Sequence, residues 1–150
     1  MANTYTQLYI HIIFTVKGRH NQIQNSFKDT LYKYITGIIL NKRNKLIAIN
    51  GMPDHIHVLI GINPETSLSS LVRDIKHFST IFINEKKWLK GKFYWQEGYG
   101  AFSYSRSQLD KVVKYINNQE IHHKKRTFRE EYIKFLKAFD IKYDERYIFE

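Results

Sequence analysis

The 150-residue chain has no cysteine, which excludes a disulfide framework, a thiolate metal site and a cysteine nucleophile, and suits a reducing cytoplasm. Any metal must be held by imidazole, carboxylate or amide oxygen. Proline is scarce, and no Pro- or Ser-rich linker, internal repeat or low-complexity tract interrupts the chain, so residues 1–150 read as one domain. No apolar run approaches the roughly 20 residues needed to span a bilayer. The opening stretch MANTYTQLYIHIIFTV lacks the basic region and small-residue cleavage site of a secretory signal. These absences predict a cytoplasmic protein with no membrane partner. Acidic residues are also few, 14 against 24 Lys and Arg, leaving a formal net charge of +10. Such an excess attracts polyanions through counterion release, which makes nucleic acid the leading partner. Aromatic rings among the cations suit stacking on unpaired bases, although burial preferences place most Phe and several Tyr in the core.

Hydrophobic periodicity predicts an α+β order. Leu8, Ile10, Ile12, Phe14 and Val16 alternate with Tyr9, His11, Ile13 and Thr15, the period of a strand. A helix follows, opened by Ser26 and Asp29 in capping-box spacing and carrying Phe27, Leu31, Tyr34, Ile35 and Ile38. KLIAING and DHIHVLIGI read as two strands joined by a short turn around Gly51, Met52 and Pro53. Leu68, Leu71, Val72, Ile75, Phe78 and Phe82 mark a second amphipathic helix from Ser67 to about Lys87. GYGAFSYS, residues 98–105, supplies a further strand, and the order becomes the ferredoxin-like split βαβ antiparallel sheet, with a core over about residues 5–105. Two additional C-terminal helices occupy about residues 107–140, one capped by Ser107 with Asp110, the other by Thr127 with Glu130. The one plausible joint ahead of them lies near Gly98 and Gly100.

Strand alternation puts His55 and His57 on one face and Ile56, Val58, Ile60 and Ile62 on the other. Two imidazoles at i and i+2 are close enough to ligate one divalent ion; equally, they can be two ordinary strand histidines. On the helix bearing Val112, Val113 and Ile116, Tyr115 and Gln119 are four residues apart and share a face. A tyrosine there is commonly core or rim. Yet a Gln amide oxygen can bind a hard cation, and a phenol can attack phosphorus once its proton is removed or its anion stabilised.

NGMPDHIHVLI, LSSLVRDIKHFS, FYWQEGYGAFSYS, VVKYINNQEIHHKK and FREEYIKFLKAFDIKYDERYIF together resemble, in order and spacing, the HUH single-tyrosine transposases of minimal bacterial insertion sequences. The resemblance runs from near Tyr5 to the C-terminus. It implies that His55, His57 and Gln119 hold Mg²⁺ or Mn²⁺ and that Tyr115 is the nucleophile. It also implies cleavage and rejoining of single-stranded DNA with hairpin ends, through a 5′-phosphotyrosine intermediate and on nucleoid DNA. A homodimer is implied too, in which the tyrosine helix of one subunit completes the metal site of the other.

Lys42, Arg43 and Lys45, and Lys124, Lys125 and Arg126, form two basic clusters that are either DNA contacts or solvated faces. His122 and His123 read as solvated or phosphate-facing, and Glu130 and Glu131 as cap and surface. Two other functions remain open. One is a non-catalytic single-strand binder on a ferredoxin-like sheet, which would make Tyr115 dispensable. The other is a domesticated HUH nickase acting on repeated genomic hairpins by the same chemistry.

Overall fold

The computed structural model describes residues 4–124 and 126–148, without the side chains of Arg19, His122, Tyr147 and Ile148. Strand β1 (Tyr9–Thr15), helix α1 (Lys28–Asn41), β2 (Lys45–Met52), β3 (His55–Gly61), α2 (Leu68–Lys86) and β4 (Gly100–Tyr104) follow in βαββαβ order. The strands form one antiparallel sheet in the order β2-β3-β1-β4, the ferredoxin-like topology that the alternating patterns predict. Beyond the sheet come α3 (Leu109–Asn117), α4 (Gln119–His123), α5 (Phe128–Ala138) and α6 (Glu145–Ile148).

Both faces of the sheet are covered. Ile12 and Phe14 of β1 and Ile56, Val58 and Ile60 of β3 meet Leu31, Ile35 and Ile39 of α1 and Leu71, Val72 and Ile75 of α2. On the opposite face Ile13 and Phe102 pack under Phe128, Tyr132 and Leu136 of α5, while Ala48 and Leu59 pack under Val112 and Ile116 of α3. Each fully buried Ile, Leu or Phe contributes roughly 1.5–3 kcal/mol relative to exposure, so the second face is a true core. It is this second layer that buries the polar residues alternating with the first core, among them His11, His55 and His57.

Several local expectations are corrected. Ser26 does not cap α1; the Gln24 carbonyl instead accepts from the N–H groups of Phe27 and Lys28, and the buried Phe27 ring anchors the turn. The β2–β3 hairpin turns at Pro53 and Asp54, and Gly51 is part of β2, where an added Cβ would lie 2.2 Å from the His55 carbonyl oxygen. Only glycine permits that approach beside the first histidine. Ser105 and Gln108, rather than Ser107 and Asp110, form the capping box at residues 106–108 ahead of α3. Ser67 and Thr127 do cap α2 and α5, accepting from the N–H of Ser70 and Glu130. The expected joint fails at Gly100, which is buried in β4 against Tyr132. Because β4 separates Gly98 from α3, any independent motion of α3 must pivot at residues 105–108.

Candidate active site

The β1–β3 ladder places His57 opposite Ile13, with His11 two residues further along β1 on the same face. His11 Nε2 and His57 Nδ1 are 2.8 Å apart and their rings stack at 5.0 Å. His57 Nε2 is 3.0 Å from Glu131 Oε1 on α5. His55 is held by the residue before it: its Nδ1 donates to Asp54 Oδ1 at 2.7 Å. This fixes the proton on Nδ1 and leaves the Nε2 lone pair pointing inward, the orientation of a metal-ligating histidine backed by a carboxylate.

Tyr115 and Gln119 do not lie on one continuous helix. Helix α3 ends at Asn117, and Gln119 opens the short α4. The break is stabilised from β2, where Asn50 Nδ2 donates to the carbonyls of Ile116 at 2.9 Å and Asn117 at 3.3 Å, satisfying acceptors that a helix end leaves orphaned. The two residues still converge. Gln119 is fully buried, with Oε1 3.1 Å from His55 Nε2 and 3.1 Å from His123 Nε2, and Nε2 3.5 Å from the Tyr115 carbonyl oxygen. The Tyr115 ring stands edge-on to His57 at 5.9 Å, and its hydroxyl donates to Glu131 Oε2. The Phe135 ring covers His11, His57 and Tyr115 at 5.3, 6.4 and 5.6 Å.

Glu131 is the largest correction to the sequence reading, which put it with Glu130 as cap and surface. It is 1% exposed and lies beside three imidazoles: Oε1 is 3.0 Å from His57, 3.4 Å from His123 and 3.6 Å from His55. Glu130 is indeed exposed in the first turn of α5, its N–H capped by the Thr127 hydroxyl. The signal lies in the helical spacing: Glu131 shares its face of α5 with Phe128, three residues before it, and Phe135, four after it, and a carboxylate inside an apolar stripe needs a cationic or donor partner. His123 likewise faces the site rather than solvent.

The donor set fits a divalent cation. His55 Nε2 and the Gln119 amide oxygen face each other at 3.1 Å, a spacing that suits two ligands of one cation. Ligand atoms of His55, His57 and Glu131 all lie within 4.8 Å of one another, and a mixed imidazole, carboxylate and amide set matches hard-to-intermediate divalent ions. Protonation agrees. Burial lowers His57 from 6.5 to about 4, only partly offset by the hydrogen bond and charge of Glu131. For Glu131, burial acts to raise the carboxyl, but hydrogen bonds from His123 and His57 outweigh it and hold the group far below the usual carboxylate range. Neutral imidazole and ionised carboxylate are the ligand-ready forms. Burial, followed by the charge and hydrogen bond of Glu131, pushes the Tyr115 phenol well above its ordinary value.

A pH dependence of stability follows for the metal-free protein. His57 takes a proton in the unfolded chain near pH 6.5 but in the folded chain only near 4, so the unfolded state binds more protons between those values. Stability is therefore expected to fall as pH drops from about 6.5 to about 4, by on the order of 3 kcal/mol from this residue. Urea unfolding at steps across that window checks it, and His57→Gln should flatten the slope.

The basic residues do not form one surface. Lys42 is paired with Asp74 at 2.6 Å, whereas Arg43 and Lys45 are exposed near the β2 edge. Lys124 lines a hollow beside Met52 and Pro53, Arg126 lines a different cleft next to Tyr115, and Lys125 lies outside the described residues.

The site is thus a His-x-His strand of a ferredoxin-like sheet with a tyrosine and a glutamine delivered by following helices. The chain belongs to the family described as Transposase IS200 like, whose model matches residues 4–119. It is 28% identical over 120 residues to the ISDra2 transposase TnpA of Deinococcus radiodurans, covering 75% of this chain and 84% of that protein. Among solved structures, a protein described as a transposase from Deinococcus radiodurans superposes with a TM-score of 0.62 at 25% identity, over 79% of this chain and 95% of the other. A REP-associated tyrosine transposase bound to a REP hairpin superposes with a TM-score of 0.63 at 18% identity, over 82% of this chain and 73% of that one, a likeness of fold. The matched family region ends at Gln119, so Glu131 and α5 lie beyond it. Among the described residues no helix is long and apolar enough to cross a membrane.

Proposed function

We propose that this transposase cleaves and rejoins single-stranded DNA at hairpin-bearing ends, with Tyr115 as nucleophile. The observation that carries the reading is the convergence of the Tyr115 hydroxyl and the Gln119 amide oxygen on the His55–His57 pair, from three separate elements of one chain. His55, His57 and Gln119 would hold Mg²⁺ or Mn²⁺, with Glu131 as a further carboxylate ligand. A divalent cation bound there supplies charge that polarises the scissile phosphate and stabilises the leaving 3′ oxygen.

The rest falls to the protein. Tyr115 Oη attacks phosphorus; the Oη–P bond forms as the P–O3′ bond breaks, leaving a 5′-phosphotyrosine and a free 3′-OH. Glu131 Oε2, which accepts the hydroxyl hydrogen bond, is placed to receive the phenol proton. One phosphodiester replaces another, so a 3′-OH from a second DNA end can reverse the step and join strands without ATP. Phe135 screens the Tyr115 and His57 rings from water, which strengthens the electrostatics of the site.

Cleaving two ends before either is rejoined needs two tyrosines, which favours a homodimer with one site per subunit. The path from Ser105 through the capped turn to α3 is short, and within one chain Tyr115 already packs on its own His57, so dimer formation need not exchange the tyrosine helix. Hairpin recognition is supported by the net charge of +10 and by the solved fold relative bound to a REP hairpin. Exposed Arg43, Lys45 and Lys124 are the candidate contacts with the hairpin backbone, and the setting is cytoplasmic, on nucleoid DNA. The test is incubation with single-stranded oligonucleotides from both flanks of the gene, with Mn²⁺ or with EDTA, on denaturing gels. Metal-dependent cleavage with a retained 5′ adduct supports the reading; tight binding without cleavage, on flanks shown to fold as hairpins, refutes it in favour of a binding module.

A further inference from the structure

Beside Tyr115, between α3 and α5, lies a cleft of about 490 Å³. This falls within the roughly 300–1,000 Å³ range of small-ligand sites. Its wall is aromatic, with Tyr104 and Phe139 in edge contact at 5.4 Å. Its rim is cationic: Lys111, Lys134 and Arg126 all line it. Lys111 and Lys134 are exposed, and among the described residues neither has an acidic partner within ion-pair distance. Tyr115 and Glu131 are among its lining residues, whereas His55 and His57 are not. Apolar faces edged by unpaired cations match one chemical class, a base to stack with a phosphate attached.

We propose that this cleft is a nucleotide subsite, which takes the nucleotide immediately 3′ of the scissile phosphate. The proposal rests on Tyr115 being the nucleophile and deepens that reading. In-line attack sets Tyr115 and the leaving 3′ oxygen on opposite sides of phosphorus, and the histidines mark the leaving side. The cleft is lined by Tyr115 and not by the histidines, which places it to hold the nucleoside that stays attached through the 5′-phosphotyrosine. The base lies against Tyr104 and Phe139, and Lys111, Lys134 and Arg126 face the phosphates that flank it. The freed 3′-OH strand can then depart while the attached nucleotide is retained in register for the incoming 3′-OH.

The experiment has two arms, both with the full chain. In the first, Tyr115→Phe protein binds flank oligonucleotides carrying 2-aminopurine at successive positions, read by fluorescence. Quenching is expected to peak at the first nucleotide 3′ of the cleaved bond and to be lost in Phe139→Leu. In the second, the protein with Tyr115 intact reacts with oligonucleotides that are abasic at that position or five nucleotides further on. The first abasic site should slow adduct formation about 10-fold, a loss in line with one base stack, and the second should leave it unchanged. Lys134→Glu, on the exposed rim, should raise the oligonucleotide concentration for half-maximal rate about 10-fold, leave the saturated rate unchanged and lower the salt slope by about one. Uniform 2-aminopurine signals, or normal adduct rates with the abasic substrate, overturn the subsite while adduct formation itself leaves the nucleophile assignment standing. Absence of any adduct sinks the nucleophile, and the subsite with it.

Discussion

Tyr115→Phe is expected to reduce covalent adduct formation and strand joining by roughly 10³-fold or more, while single-strand binding and the fold persist. The substitution removes one oxygen. The ring stays packed against His57 and Phe135, so the apolar contacts of α3 survive. What is lost is the atom that would bond to phosphorus, together with the hydroxyl hydrogen bond to Glu131. Glu131 keeps its contacts to His57 and His123, so its charge is still compensated and the stability cost is small, on the order of 1 kcal/mol. A binding assay run beside the adduct gel separates the outcomes. Loss of the adduct with binding intact is the expected pattern; an adduct that persists in the Phe variant places the chemistry on another residue.

The second large effect is expected at His57. His57→Asn should weaken Mn²⁺ binding, measured by titration calorimetry or electron paramagnetic resonance, by at least about 100-fold and depress adduct formation by at least as much. Asparagine is the informative replacement. Alanine would strip both neighbours of a partner, leaving His11 Nε2 and Glu131 Oε1 buried with one hydrogen bond fewer each, at about 1–3 kcal/mol per group. Its failure could then be read as unfolding. A shorter polar side chain retains some of that pairing but displaces the donor from the position of Nε2. If His57→Asn folds, keeps wild-type Mn²⁺ affinity and still forms adduct, the metal site lies elsewhere.

Legibility in the sequence tracks how local the determining physics is. Alternation in β1 and β3 was enough to assign faces: Ile12, Phe14, Ile56, Val58 and Ile60 share one core, and His55 and His57 point away from it. The strand–helix order carried the ferredoxin-like topology, because antiparallel neighbours joined by a short hairpin and two helical crossovers leave few alternatives. The helix break between Tyr115 and Gln119 was hidden, since it depends on Asn50, 66 residues before the carbonyl it binds. The role of Glu131 is hidden for the same reason. Next to Glu130 and three residues after Phe128 it resembles a capping-turn acid, and only the docking of α5 on the second sheet face carries it to the histidines. The buried state of His11 likewise follows from that docking, through the ring of Phe135.

The docking also brings two groups of side chains to one buried carboxylate. Glu131 sits between them, one carboxylate oxygen toward His55, His57 and His123 and the other on the Tyr115 hydroxyl. Fixed charges and donors arranged before the substrate arrives need no reorganisation when charge develops, which is the main source of electrostatic catalysis. Burial and the neighbouring Glu131 carboxylate keep the Tyr115 phenol protonated in the resting protein.

The claim at the centre of this account is that Tyr115 becomes joined to the 5′ phosphate of cleaved single-stranded DNA. Its most direct test is to trap the Mn²⁺-dependent adduct on a flank oligonucleotide, digest both protein and DNA, and locate the nucleotide mass by peptide fragmentation. The predicted result is a 5′-nucleotide on the phenol oxygen of Tyr115. A nucleotide on Tyr104 or Tyr132, or cleaved DNA with no nucleotide on the protein, would contradict it.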